Sequence, residues 1–281
     1  MRALTATLCG LAILRAGTSV AAAAPGSSSS SDTQFANYAF ASELGSGIYE
    51  VSGRTIQVYQ LAPYYRLREA APQGGRPGIR LIFPLTVGFF DFEPVDLVHF
   101  HLPTSIGALS LEPGVELDWW MNDAWDLYPY VKGGGTFASS ADINAVIYGA
   151  GVRSDYRFDA LEAHWLYRAE LTYAGVHYHS ELPNDSFTRL RDGVQIRRNL
   201  PVVWHDRAIQ LGPYAFADIY FNAPSGPGSG ISARTVQFEV GLMVDLQPRL
   251  EIHGVPLPRI GIGYLNAGLL SGWRLVLGEP F

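Results

Sequence analysis

The residues best equipped for chemistry fall in three short clusters. His177-Tyr178-His179-Ser180 sets imidazoles beside a hydroxyl, and a serine nucleophile needs a base within hydrogen-bond reach and a third group to orient that base. Glu181 or Asp185 would have to supply that third group. Alternation along an extended chain sends His177 and His179 one way and Ser180 the other, so the cluster reads more simply as the polar end of a strand. His99-Phe100-His101 has the spacing of two ligands on one strand face, but a zinc site wants three or four donors, and no convincing others accompany it. Gly133-Gly134-Gly135 follows Lys132 without the strand-then-helix setting of a phosphate loop; a bend or a close strand approach accounts for it. The sequence thus offers no catalytic, cofactor-binding or metal-binding residue, and the alternative is a lipid-acting hydrolase built on the His177 and Ser180 region.

A more physical candidate is a set of charges that shares one face of the chain: Arg80, Glu112, Glu116, Asp118, Lys132, Arg153, Arg168, Glu170, Glu239, Asp245 and Arg274. Charges removed from bulk water must pair or face a wet cavity. On one common inner face they either form ion-pair ladders between neighbouring strands or line a narrow aqueous path, and a mostly occluded interior is favoured.

The elements that carry them have period two. From Gly78 to Phe92 the odd positions run Ile79, Leu81, Phe83, Leu85, Val87, Phe89, and the pattern returns at Leu109, Leu111, Pro113, Val115, Leu117, Trp119 with Glu112, Glu116 and Asp118 opposite. Alternating faces are the mark of strands. Candidate strands fall at 46–51, 54–67, 79–92, 106–120, 125–137, 145–157, 164–178, 187–199, 208–221, 234–247, 257–265 and 270–281. The weakest are the first, 46–51, and 187–199, where Arg189, Arg191, Arg197 and Arg198 dilute any apolar face. Most of these stripes run for about ten residues, the length a tilted strand needs to cross the hydrocarbon layer, and an apolar outer face with a polar inner one is the pattern of a transmembrane barrel. The fold class expected is therefore all-β, a twelve-stranded antiparallel transmembrane barrel, with a short helix from residues 35–44 in or near the lumen. A soluble β-sandwich is the competing architecture.

Composition favours the barrel. Of 281 residues 48% are hydrophobic and only 16% charged, against about 25% charged in ordinary soluble domains. A net charge of −6 excludes the basic footprint of a nucleic-acid binder. Arg2 followed by an apolar run and the small residues Ser19 to Ala24 reads as a secretory signal peptide over residues 1–23. The sole cysteine, Cys9, falls inside it, leaving a mature chain without disulfides. Residues 24–34 are a Ser-rich tether, too short for an exported domain, and residues 35–281 form the barrel.

The sequence closes with Trp273, Leu275 and Leu277 alternating outward and a final Phe281. This resembles the assembly signal of Gram-negative outer-membrane barrels, and an aromatic ring there suits the interfacial girdle. Glu279 departs from the pattern, which usually has an apolar or aromatic residue at that position. Taken with Phe40–Tyr49, Gly53–Tyr59, Pro113–Leu117, Ile147–Ser154, Phe238–Leu242, Pro258–Tyr264 and Gly272–Gly278, the chain is similar to the solitary autotransporter-like outer-membrane β-barrel family. The resemblance implies a translocator-type barrel without a passenger, residing in the bacterial outer membrane. It implies outer-membrane lipid and the barrel-assembly machinery as partners, a monomeric state and no cofactor.

Overall fold

Alternation fixes the face of every side chain, so the wall can be read strand by strand. The computed structural model describes residues 42–43, 45–51, 54–71, 75–90, 108–138, 143–179, 184–222, 236–248, 251–252, 255–256, 259–267 and 270–281, all within the compact unit Thr33–Phe281. The expected leader and tether, most of the expected helix at 35–44, His99, His101 and Ser180 lie outside the described residues; of the helix, Ser42 and Glu43 are described and are helical.

Twelve antiparallel strands follow one another round the wall: β1 (Gly47–Val51), β2 (Arg54–Leu61 and Tyr64–Arg68), β3 (Gly78–Ile82 and Leu85–Phe90), β4 (Ala108–Leu111 and Gly114–Asn122), β5 (Trp125–Ala138), β6 (Ile143–Ala160), β7 (Ala163–Tyr178), β8 (Asp185–Trp204), β9 (Arg207–Asn222), β10 (Val236–Gln247), β11 (Ile260–Ala267) and β12 (Leu270–Leu277). Each pairs with the next, and β1 pairs with β12 through Ile48 opposite Trp273 and Val51 opposite Leu270, which closes the barrel. Closure leaves the main ring no free edge.

Three strands are broken, each at a proline. Pro63, Pro84 and Pro113 lie in β2, β3 and β4, and each proline carbonyl accepts from the following strand: Phe83 N–H to Pro63 at 2.9 Å, Glu112 N–H to Pro84 at 2.9 Å, Gly133 N–H to Pro113 at 3.0 Å. Proline has no N–H to return the bond, so the three breaks align into one crease. Gly134 continues it on β5, where a Cβ would collide with the Leu111 carbonyl. Within the glycine run noted in the sequence, Gly134 is thus a close backbone approach, whereas a Cβ at Gly133 or Gly135 would meet only ordinary contacts. Below the crease, Tyr64–Arg68 pairs with β3 alone.

Height varies around the wall. β8 has 20 residues and β6 has 18, whereas β11 and β12 have 8 each. The long sector therefore exceeds the 9–11 residues a crossing strand requires. Two-residue hairpins join β6 to β7 and β8 to β9, with positive φ at Leu161, Glu162, His205 and Asp206. That is the twist-matched geometry of the tight β-hairpin. The outer face is apolar, and its exposed aromatics gather toward the two rims: Trp125, Tyr156, Phe158 and Tyr167 toward these hairpins, Phe137, Tyr148 and Tyr173 toward the opposite end. The strand expected at 270–281 ends at Leu277, because Gly278 takes φ +98° and turns the chain out of the wall.

Candidate functional site in the barrel interior

The inner positions of successive strands bring opposite charges to the same height. In the sector β3 to β7, Glu116 bridges Arg80 at 2.8 Å and Arg153 at 3.2 Å. Arg168 grips Asp155 through two bonds of 2.6 Å, and Arg157 pairs with Asp126. The Tyr128 ring lies between the guanidinium groups of Arg80 and Arg153, 4.9 and 4.4 Å from its centre. Stacking and bidentate pairing are the contacts for which planar arginine is suited.

A second group spans β4 to β9. Lys132 meets Glu112 at 3.2 Å, and Arg191 takes Asp218 through bonds of 2.7 and 2.8 Å. Arg189, 1% exposed, lies 3.7 Å from Glu170 and 3.9 Å from Asp218. One residue from outside the wall joins these strands: the Glu43 carboxylate accepts from Lys132 at 2.6 Å and from Arg189 at 2.8 Å. Burial alone would raise the Glu43 pKa, but the pull of Lys132 and Arg189 outweighs it and holds the group at about 2. The segment around Glu43 is anchored on β2 as well, since the Gln60 side chain donates to the Ser42 carbonyl and the Gln60 N–H to Ser46 Oγ.

The third group is built on the residues after β12. Arg274 donates to Glu239 at 2.8 Å and also to the Pro280 carbonyl, while Tyr214 donates to the same Glu239 oxygen at 2.7 Å. Glu279 accepts from Arg259 at 3.0 and 3.1 Å and from Arg197 at 2.9 Å, and Arg259 donates to Asp245 at 2.9 Å. Phe281 packs against the inner-face residues Tyr214 and Phe216 and lies beneath Arg168.

Arg80, Glu112, Glu116, Asp118, Lys132, Arg153, Arg168, Glu170, Glu239, Asp245 and Arg274 all stand on the inner face, and the structure pairs them with one another or with a residue the sequence reading passed over. Asp118 is the loosest, 3.8 Å from Arg80. The residues passed over are Glu43, Asp126, Asp155, Arg157, Arg189, Arg191, Asp218, Arg259 and Glu279. For most of them parity was the available signal: Asp155 and Arg157 share a face with Arg153, and Arg189 and Arg191 share one with Phe187 and Gln195. Trp273, Leu275 and Leu277 face outward, 58, 47 and 45% exposed. Phe281 lies in the interior rather than in the outer girdle, because Gly278 redirects the chain and the apolar faces of Tyr214 and Phe216 receive the ring. His177 and His179 point outward at the rim, their rings 6.1 Å apart and edge-on.

The closed twelve-stranded barrel, with its charged, ion-paired interior and a chain segment lodged inside it, has a solved counterpart in fold. The same fold occurs in the crystal structure of the β-domain of the Bordetella autotransporter BrkA, with a TM-score of 0.52 and 13% sequence identity over 82% of this chain and 93% of that one. No family model matches the chain and no curated protein matches it in sequence.

Proposed function

We propose that the chain is an integral outer-membrane β-barrel of the autotransporter-translocator type without a passenger, a structural or transport module with no catalytic site and an interior occluded at rest. The observation that carries this is Glu43: one carboxylate, brought in by the segment that precedes β1, ties β5 to β8 through Lys132 and Arg189. The tail from Gly278 to Phe281 occupies a second part of the interior, held by Arg274, Arg259 and Arg197. Side chains that neutralise one another in this way stiffen and fill a lumen whose twelve strands would otherwise leave it between the filled and the open size classes. Residues 1–23 deliver the chain across the inner membrane in this reading.

Conductance of the refolded full chain in a planar bilayer tests the proposal. A closed baseline is expected, with a steady channel after Glu43→Gln; a wild type that conducts steadily would refute occlusion. Replacing His177, His179 and Ser180 by Ala tests the absence of catalysis. Lipid hydrolysis by the purified protein that disappears in this variant would establish the hydrolase instead.

A further inference from the structure

We propose that the outward notch around Asp192 binds a lipid whose headgroup carries an ammonium group. Every second residue of β8 faces out, and in this row Asp192 stands between Leu190 and Val194. Among the described residues it is the only carboxylate on the outward faces of β7 to β10. Register places it opposite Ala169 on β7 and Ala217 on β9. Ala217 and Ala215 leave a notch of about 410 Å³ beside Asp192, rimmed by Tyr167, Phe238 and Val240. The Tyr167 hydroxyl donates to Asp192 Oδ2 at 2.9 Å.

A carboxylate facing lipid is unfavourable unless something answers its charge, and ionisable groups at membrane depth mark interaction sites. One phenol satisfies one of roughly four acceptor positions on an ionised carboxylate. Tyr167 belongs to the aromatic set nearer the Leu161–Glu162 hairpin, and such rings sit at headgroup level. An ammonium with several donors can therefore reach Asp192 while an acyl chain lies along the alanine floor. A headgroup that carries only phosphate would be repelled. A second copy docked on the same face would set Asp192 against Asp192, which disfavours self-association.

The inference rests on the barrel lying in a membrane. The test uses the full chain refolded into vesicles of equal phosphatidylethanolamine and phosphatidylglycerol, with spin-labelled forms of each reporting the lipid held at the protein surface. The wild type is expected to prefer the ethanolamine lipid by up to about fivefold, the range of a partly solvated ion pair. Asp192→Asn should abolish the preference, and Tyr167→Phe, which keeps the carboxylate, should retain it. Equal retention of both lipids by the wild type, or a preference that survives Asp192→Asn, would overturn the site. So would a cross-linked dimer that Asp192→Asn dissolves, which assigns the face to a second copy. Protein that fails to enter the bilayer at all would instead sink the membrane reading on which the site depends.

Discussion

Glu43 and Lys132 meet at 2.6 Å although 89 positions separate them in sequence. The other oxygen of the same carboxylate reaches Arg189 at 2.8 Å, so a single side chain spans the interior from β5 to β8. Glu43→Gln keeps the shape and removes the charge, leaving Lys132 and Arg189 short of a partner. Breaking a buried pair in this way costs about 3–5 kcal/mol, enough to release the segment. Single-channel recordings should show open events in the variant that the wild type lacks.

Acid should have the same effect as the substitution, and its range follows from the charge of Glu43. The group titrates near 4.5 when free and at about 2 in place. A lowered carboxylate pKa stabilises the folded arrangement fully above the free value and loses that contribution as pH falls toward the bound one. Recordings taken from pH 7 downward should stay closed to about pH 4.5 and open progressively between there and pH 2. Opening already at pH 6 would assign the closure to another group.

Arg191 and Asp218 offer a cleaner energetic test, since both are buried and their two bonds are parallel. Arg191→Ala should lower stability by about 3–5 kcal/mol, whereas the double change Arg191→Met with Asp218→Leu should be close to neutral or stabilising. Urea unfolding followed by tryptophan fluorescence separates the two outcomes. A double variant as unstable as the single one would mean that the pair is indispensable to the wall.

Leu161 and Glu162 both adopt positive φ, 54° and 56°. This region costs an L residue of ordinary size roughly 1–2 kcal/mol, and Asn-Gly is the favoured occupant of such a turn. Replacing Leu161 by Asn and Glu162 by Gly should raise the unfolding midpoint, with a gain of about 1–2 kcal/mol. The equivalent change at His205 and Asp206 should gain less, since Asp tolerates this conformation better.

Tyr214 lies flat over the backbone of Gly241, where any Cβ would overlap the ring. Gly241→Ala should therefore displace Tyr214 from Glu239, costing about 1–3 kcal/mol as overpacking does. On gels run after stepwise heating, the change from folded to unfolded mobility is expected at a lower temperature than in the wild type. An unchanged transition would show that the ring moves aside freely.

Nearly all of the wall was legible, because period-two alternation survives in each strand and a turn of any length merely separates two stripes. The stripes at 54–67, 79–92 and 106–120 even continue through Pro63, Pro84 and Pro113, where the hydrogen bonding breaks. β8 was the poorest reading, since Arg189 and Arg191 look like dilution until the odd positions are seen to be the inner face. Of Glu43 only the segment was legible, as part of the helix expected over 35–44 in or near the lumen; its pairing was not, because it belongs to no stripe and its partners lie on strands far along the chain. Glu279 was visible only as a departure from a pattern, and the reason, its bonds to Arg259 and Arg197, exists only in three dimensions.

The proline crease divides the wall mechanically. Above it, every strand is laced to two neighbours, and a load applied at one point is shared around the whole circumference. Below it, Tyr64–Arg68 and Gly78–Ile82 hang from the single β4 seam formed by Gly78 to Ile82 against Gly114 to Asp118. Such a flap can swing without breaking a rung of the collar above. The barrel is a stiff hoop with one compliant lip, and pulling on residue 68 should peel that lip at low force before the hoop yields.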